Sequence, residues 1–235
     1  MLLHCVVVLA EAAYLGKLRD MNPFRPLPGR RRFLQSASTF TLGLTGAALL
    51  PETSCGQEAP TTGPNILGPR PGYAPHVGAM VSMLEWMRAV VVGSVQGLTT
   101  KQLDHLLDPQ ANTIGALLLH LAATERYYQL HTFGGQQWGD WDALIKKEWE
   151  VPMQLGASAR RTIKGQGLDY YLRALADVRA TTLRELRQRD DAWLMAVDPQ
   201  WSWGPTNNYC KWFHVCEHES NHNGQIKWIK SRLPK

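Results

Sequence analysis

Apolar residues recur every three or four positions in four separate stretches of this chain, and that spacing favours helices over any sheet. The first stretch runs from about Pro75 to Val95, with Val77, Met80, Val81, Leu84, Met87 and Val91 on one face and Pro75 suited to a first turn. A second opens at Asn112 or Thr113, both good N-caps, and carries Ile114, Leu117, Leu118, Leu121 and Tyr128 towards His131, before Gly134-Gly135 stops it. The third spans roughly Leu168 to Arg189, with Tyr171, Leu172, Leu175, Val178, Leu183 and Leu186. The fourth spans about Tyr209 to Leu233, and Pro234 ends it. Almost no stretch alternates polar with β-branched residues, so a sheet is not expected. More than thirty residues, 133–167, separate the second and third stretches and include Trp138, Trp141 and Trp149. A connection that long lets its flanking helices run parallel. The expected fold is all-α: a four-helix bundle with a long, Trp-rich crossover between helices two and three.

The residues before the bundle read as an address and a tether. Arg30-Arg31-Arg32-Phe33-Leu34-Gln35 fits a twin-arginine export signal, and a mildly apolar run follows from Phe40 to Leu50. That run has the length of a signal core and is too short for a membrane span of about 20 residues. Cys55 invites a lipid anchor, but Glu52 stands where a lipid-attachment signal has Leu. Residues 1–20 play no part in the pattern, which makes Met21 an alternative start. The expected organisation is an N-terminal extension and signal over 1–55, a linker over 56–74 and one helical domain over 75–235. The expected location is periplasmic or extracellular, reached by the twin-arginine route.

Charge follows the same division. Six of the 25 Lys and Arg and two of the 20 Asp and Glu lie in the first 35 residues, leaving 19 against 18 in the remainder. Most of the net charge of +5 therefore belongs to the leader, the remainder carrying only +1, and it gives no reason to expect nucleic acid as a partner. No transmembrane helix is expected in the domain. Cys210 and Cys216, six apart on one helix, face different ways and are not expected to pair.

The chemistry concentrates at the end of the chain. His214, His218 and His222 follow one another at four-residue intervals, so they share a helix face with Cβ atoms about 5–6 Å apart. Two imidazoles at that spacing can share a metal ion, but a catalytic site for Zn²⁺ takes three protein ligands and leaves one position open. His120 is the best third ligand, because it interrupts the run Leu117-Leu118-Leu119-His120-Leu121, where an unsatisfied polar ring is costly. His214 lies about 12 Å along the axis from His222, so it is read as a supporting, packing or substrate-facing residue.

His218-Glu219-Ser220-Asn221-His222 also fits the His-Glu-x-x-His pattern of zinc peptidases. The thirteen residues after His222 contain no His, Asp or Glu to complete such a site, so that reading falls away. Glu219 remains a weak candidate for a catalytic base, and alternatively a surface or ligand-supporting residue. Glu125 reads as a surface or hydrogen-bonding residue rather than a fourth ligand. Trp201, Trp203, Tyr209 and Trp212 either wall a pocket or pack in the core, and the core reading is favoured.

The pairing of Asn112-Thr113-Ile114-Gly115-Ala116-Leu117-Leu118-Leu119-His120-Leu121-Ala122-Ala123-Thr124-Glu125 with Phe213-His214-Val215-Cys216-Glu217-His218-Glu219-Ser220-Asn221-His222-Asn223-Gly224-Gln225-Ile226 resembles the DinB-like superfamily. The resemblance covers about residues 75–233. It implies a divalent metal inside a four-helix bundle, held by His120 on helix two and by His218 and His222 on helix four. Asn223 stands where the family usually has Arg before Gly-Gln. The resemblance also implies metal-assisted chemistry on a small molecule, with thiol-dependent transferases and isomerases as the best-understood members. An open metal position that holds water would instead serve a hydrolase, and the export signal, which disfavours a cytosolic thiol as co-substrate, adds weight to that reading. A non-catalytic metal-binding bundle is the alternative. A homodimer is implied by the resemblance alone. Three imidazoles suit Zn²⁺, Ni²⁺, Fe²⁺ or Cu²⁺.

Overall fold

The computed structural model describes residues 63, 65–137 and 139–234. The twin-arginine segment, Cys55 and Trp138 lie outside the described residues. Four long helices carry the fold: α1 (Pro75–Val95), α3 (Ile114–Thr132), α6 (Leu168–Leu186) and α8 (Asn208–Lys230). Shorter helices join them: α2 (Thr100–Leu103), α4 (Ala143–Gln154), α5 (Gly156–Thr162) and α7 (Asp191–Met195). The starts are fixed by local chemistry. Pro75 opens α1, and the side chains of Thr113 and Asn207 cap α3 and α8 by accepting from Ala116 N and Cys210 N.

These elements make an all-α bundle. α1 packs on α8 and α6, and α3 packs on α6 and α8. Side-chain contacts set the directions. Arg88 meets Glu219 and, further along, Ser94 O accepts from Lys230, so α1 and α8 run parallel. Gly115 lies against Tyr171 and Gln129 reaches Thr182, so α3 and α6 run parallel too. The long crossover makes the second parallel pair possible, as the loop length implied. It is not structureless: α4 lies along α3 and α5 follows it. The only sheet among the described residues is a two-residue antiparallel ladder, β1 (Val197–Asp198) with β2 (Thr206–Asn207), just before α8.

Two apolar clusters fill the bundle. One joins Val91, Leu117, Leu121, Leu175 and Ile226, and the other joins Met80, Leu84, Tyr128, Leu186 and Trp212. Between them sits a buried knot of charge with one member from each long helix: Arg88, Glu125, Arg179 and Glu219. Arg88 donates to Glu125 Oε2 (2.6 Å) and Glu219 Oε1 (2.7 Å), and Arg179 donates to Glu125 Oε1 (2.7 Å) and Glu219 Oε1 (2.8 Å). Thr182 also donates to Glu125, and Arg88 reaches the Leu175 carbonyl. Burial pushes the Glu125 carboxyl up, but Arg179 and Arg88 outweigh that and hold it at about 2. Glu125 is fully buried, which rules out the surface reading and leaves the hydrogen-bonding one.

Among the described residues one helix, α1, is long and apolar enough to cross a membrane by length and composition. Half of that stretch is buried in the bundle, and it carries the ion-paired Arg88. The end of the segment read as a linker lies against the same helix. Gly68 N donates to Ser82 Oγ, and Trp86 Nε1 donates to Asn65 Oδ1. A Cβ on Gly78 would come within 2.5 Å of the Arg70 backbone nitrogen, so the close approach there requires glycine. Cys210 is exposed and Cys216 buried, both as free thiols, in keeping with their spacing.

Candidate metal centre

α3 and α8 run antiparallel, and their facing residues form a ladder of polar rungs. His120 faces His218 and His222, Thr124 faces His218, Tyr128 faces His214, and His131 faces Lys211. Each rung rises by about one turn on both helices, because positions three and four apart share a face. The knot of Arg88, Glu125, Arg179 and Glu219 fixes the rotation of α8: with Glu219 held inward, His218 and His222 turn towards α3.

His120, His218 and His222 each offer a ring nitrogen, and the three nitrogens lie within 4.8 Å of one another. His120 Nε2 and His218 Nε2 are 3.0 Å apart. The ring centroids of His222 are 4.9 Å from those of His120 and 4.4 Å from those of His218. The outer nitrogens of two rings are engaged with oxygen. His120 Nδ1 lies 2.9 Å from the Pro152 carbonyl and His222 Nδ1 lies 3.1 Å from Gln225 Oε1. A carbonyl oxygen only accepts, so both Nδ1 atoms carry the proton and both Nε2 atoms present a lone pair. Metal-binding imidazoles are typically oriented in this way.

The Pro152 carbonyl is free for this role. It lies in the last turn of α4, where carbonyls lack helical partners. Leu155 then leaves the helix at φ 53°, and the Gly156 N–H goes to Asn112 Oδ1 instead. The crossover therefore supplies one of the supports of the site.

The three rings are also in the right protonation state. Burial, followed by repulsion from His222, lowers the His120 pKa to about 4 against the opposing pull of the Pro152 and Met153 carbonyls. Burial and then His120, His222 and His214 push His218 far below the ordinary histidine value, and burial lowers His222 as well. All three are neutral near pH 7, as a ligand must be. Three neutral imidazoles with converging lone pairs fit a divalent transition ion.

Beyond the three rings the ladder becomes aromatic. His214 sits one turn before His218, with ring centroids 5.4 Å apart, and its Nδ1 is 2.9 Å from the Tyr128 hydroxyl. Trp203 meets the His214 ring edge-on at 4.9 Å and is 37 % exposed. Trp201 lies over Lys211 and beside His131. Lys211 is itself buried and donates to Asp198 Oδ2 at 2.8 Å, which ties the short ladder to the bundle. The aromatics therefore divide: Trp212 is fully buried in the core, whereas Trp203 is partly exposed against the His214 ring.

Glu219 does not face the three histidines. Its carboxylate is buried between Arg88 and Arg179, and its Oε1 accepts hydrogen bonds from both. Reading the sequence missed Thr124 and Tyr128, although each follows His120 at a multiple of four and so lies on its face. It also missed Pro152, whose role is a backbone carbonyl and leaves no side-chain signal.

The family model for mycothiol-S-transferases matches residues 79–233, well over half of the 235-residue chain. No curated protein sequence matches it. The matched span takes in all three converging histidines and both helices that carry them, and the chain belongs to the mycothiol-S-transferase family, within the DinB-like superfamily.

Proposed function

We propose that this protein is a metal-dependent thiol S-transferase, with a low-molecular-weight thiol of the mycothiol kind as the nucleophile. The observation that carries the proposal is the convergence of three neutral imidazoles, from two antiparallel helices, beside the Trp203–His214 contact in a chain of this family. His120, His218 and His222 hold the ion. When bound, a divalent ion with three protein ligands and an open position lowers the pKa of a thiol placed there.

The chain's own residues supply the rest. Pro152 and Gln225 keep His120 and His222 in the ligating tautomer. Tyr128 fixes the His214 ring, and Trp203 covers it. Together they give the electrophilic co-substrate an apolar wall with one polar ring facing it. In the reaction a carbon–sulfur bond forms as the bond from that carbon to its leaving group breaks, and the thiol proton passes to solvent. Hydrolysis is less well supported, because the family match is to thiol transferases and Glu219, beside His218 in sequence, has its Oε1 engaged by two arginines.

The test is direct. The full chain loaded with Zn²⁺ is incubated with N-acetylcysteine and an alkylating electrophile such as monobromobimane, and thioether is measured by mass spectrometry. Thioether forming well above the buffer rate, and only with metal, is the expected result. Metal bound at one equivalent with no acceleration across a panel of electrophiles would favour the non-catalytic bundle. We further propose that the leader around Arg30 and Arg31 directs export of the protein already folded around its metal; the support is the order of twin arginine, Phe-Leu and apolar run.

A further inference from the structure

We propose that Thr124 is a positioning residue that hydrogen-bonds the sulfur of the thiol held at the three-histidine site; this rests on the thiol-transfer reading above. Thr124 is buried in α3, one turn beyond His120 and between the ligand nitrogens and the Tyr128–His214 rung. Its hydroxyl therefore lies on the same side of the ligand nitrogens as His214 and Tyr128.

The hydroxyl also departs from the usual habit of helical hydroxyls, as does that of Thr182, which donates to Glu125. A threonine or serine inside a helix commonly donates to the carbonyl four residues back. Ser94, Thr132 and Thr162 do so here, at 2.9, 2.6 and 2.9 Å. Thr124 does not. Its hydrogen-bond partners among the described residues are His218 Nε2 at 3.3 Å and Met153 Sδ at 3.8 Å. The first of these is a ligand atom, and metal binding takes up its lone pair. The second is a thioether, a weak acceptor. In the loaded site the hydroxyl is left with one weak partner in a buried position, a situation that costs free energy unless a better acceptor arrives. A thiolate sulfur in the open position is such an acceptor.

The test uses the full chain loaded with Co²⁺ and titrated with N-acetylcysteine, following the sulfur-to-cobalt charge-transfer band in the near ultraviolet. Thr124→Val keeps the shape and removes the hydroxyl; Thr124→Ser keeps the hydroxyl. The valine variant is expected to hold one equivalent of cobalt with an unchanged visible spectrum, but to bind the thiol about tenfold more weakly or worse, the scale of a lost hydrogen bond to a charged group. The serine variant is expected to bind near the parent value. Equal thiol affinity in the valine variant and the parent would overturn the role of Thr124 while leaving thiol binding intact. Loss of cobalt from the valine variant would overturn it as well, by making Thr124 a support of the ligands instead. A parent that binds cobalt but develops no thiol band would overturn both this inference and the thiol-transfer reading.

Discussion

His120 and His218 stand 98 positions apart in sequence, yet their Nε2 atoms lie 3.0 Å apart. Two like-natured rings approach this closely because neither is charged: burial first, then repulsion from His222 on His120 and from His120 and its neighbours on His218, holds both far below the ordinary histidine pKa. The Pro152 carbonyl accepts a hydrogen bond from His120 Nδ1–H, which turns the other nitrogen of that ring inward. Everything else in the site follows from the contact between these two helices.

That contact makes the metal-free protein sensitive to acid. His120 has a folded pKa of about 4 against an ordinary value of 6.5, so between those limits the unfolded chain binds the extra proton and the folded one does not. Stability is therefore fully present above about pH 6.5 and falls as the pH drops towards 4, by roughly 3 kcal/mol from this residue alone. Urea unfolding of the metal-free chain at pH 7 and pH 4.5 checks this. His120→Asn should flatten the pH dependence, and a parent whose stability rises towards acid would contradict the assignment.

The charge knot gives a second test. Glu219→Ala leaves Arg88 and Arg179 sharing Glu125 alone in the bundle interior, and breaking a buried pair in this way costs about 3–5 kcal/mol. A fall in Tm on the order of 10 °C is expected for a domain of this size. Metal should still bind in the folded fraction, because Glu219 touches none of the three histidines. Full stability combined with a complete loss of turnover would instead make Glu219 a catalytic base.

His214 is separable from its neighbours on α8. His214→Ala should leave metal content near one equivalent, whereas His218→Ala and His222→Ala should each remove it. Elemental analysis of the three variants distinguishes them. His214→Ala should also raise the KM for the electrophile more than it changes the KM for the thiol, since its ring packs against the partly exposed Trp203. The same loss of metal in all three variants would merge His214 with the ligands.

The bundle was legible because its stripes are local. Each long helix announces itself through apolar spacing within its own sequence, and α3 and α8 add side-chain caps at Thr113 and Asn207. The pairing of His120 with His218 and His222 was legible for a related reason: a polar ring inside Leu117–Leu121 and two rings on one helix face both lack another explanation. The charge knot was not. Arg88, Glu125, Arg179 and Glu219 each look like a surface residue in their own helix, and only the meeting of four helices turns them inward. The crossover was read as a connection, whereas its helix α4 ends at a carbonyl that orients a ligand. Backbone groups that act through tertiary contact carry no residue-type signature.

The leader can be tested apart from the site. Arg30→Lys together with Arg31→Lys should abolish transfer of the folded protein across a bacterial inner membrane while leaving metal binding in the cytoplasmic fraction unchanged. Cell fractionation with immunoblotting reads both. Export continuing unaltered would remove the twin-arginine reading without affecting the site.

The most direct measurement is elemental analysis of the full chain, purified without a metal-capturing tag, beside its His120→Ala variant. About one equivalent of a divalent transition ion in the parent, and little in the variant, is the result this account expects from a site of three protein ligands. No metal in the parent after reconstitution with Zn²⁺, Ni²⁺ and Fe²⁺, or equal metal in the two proteins, would contradict a centre built from His120, His218 and His222.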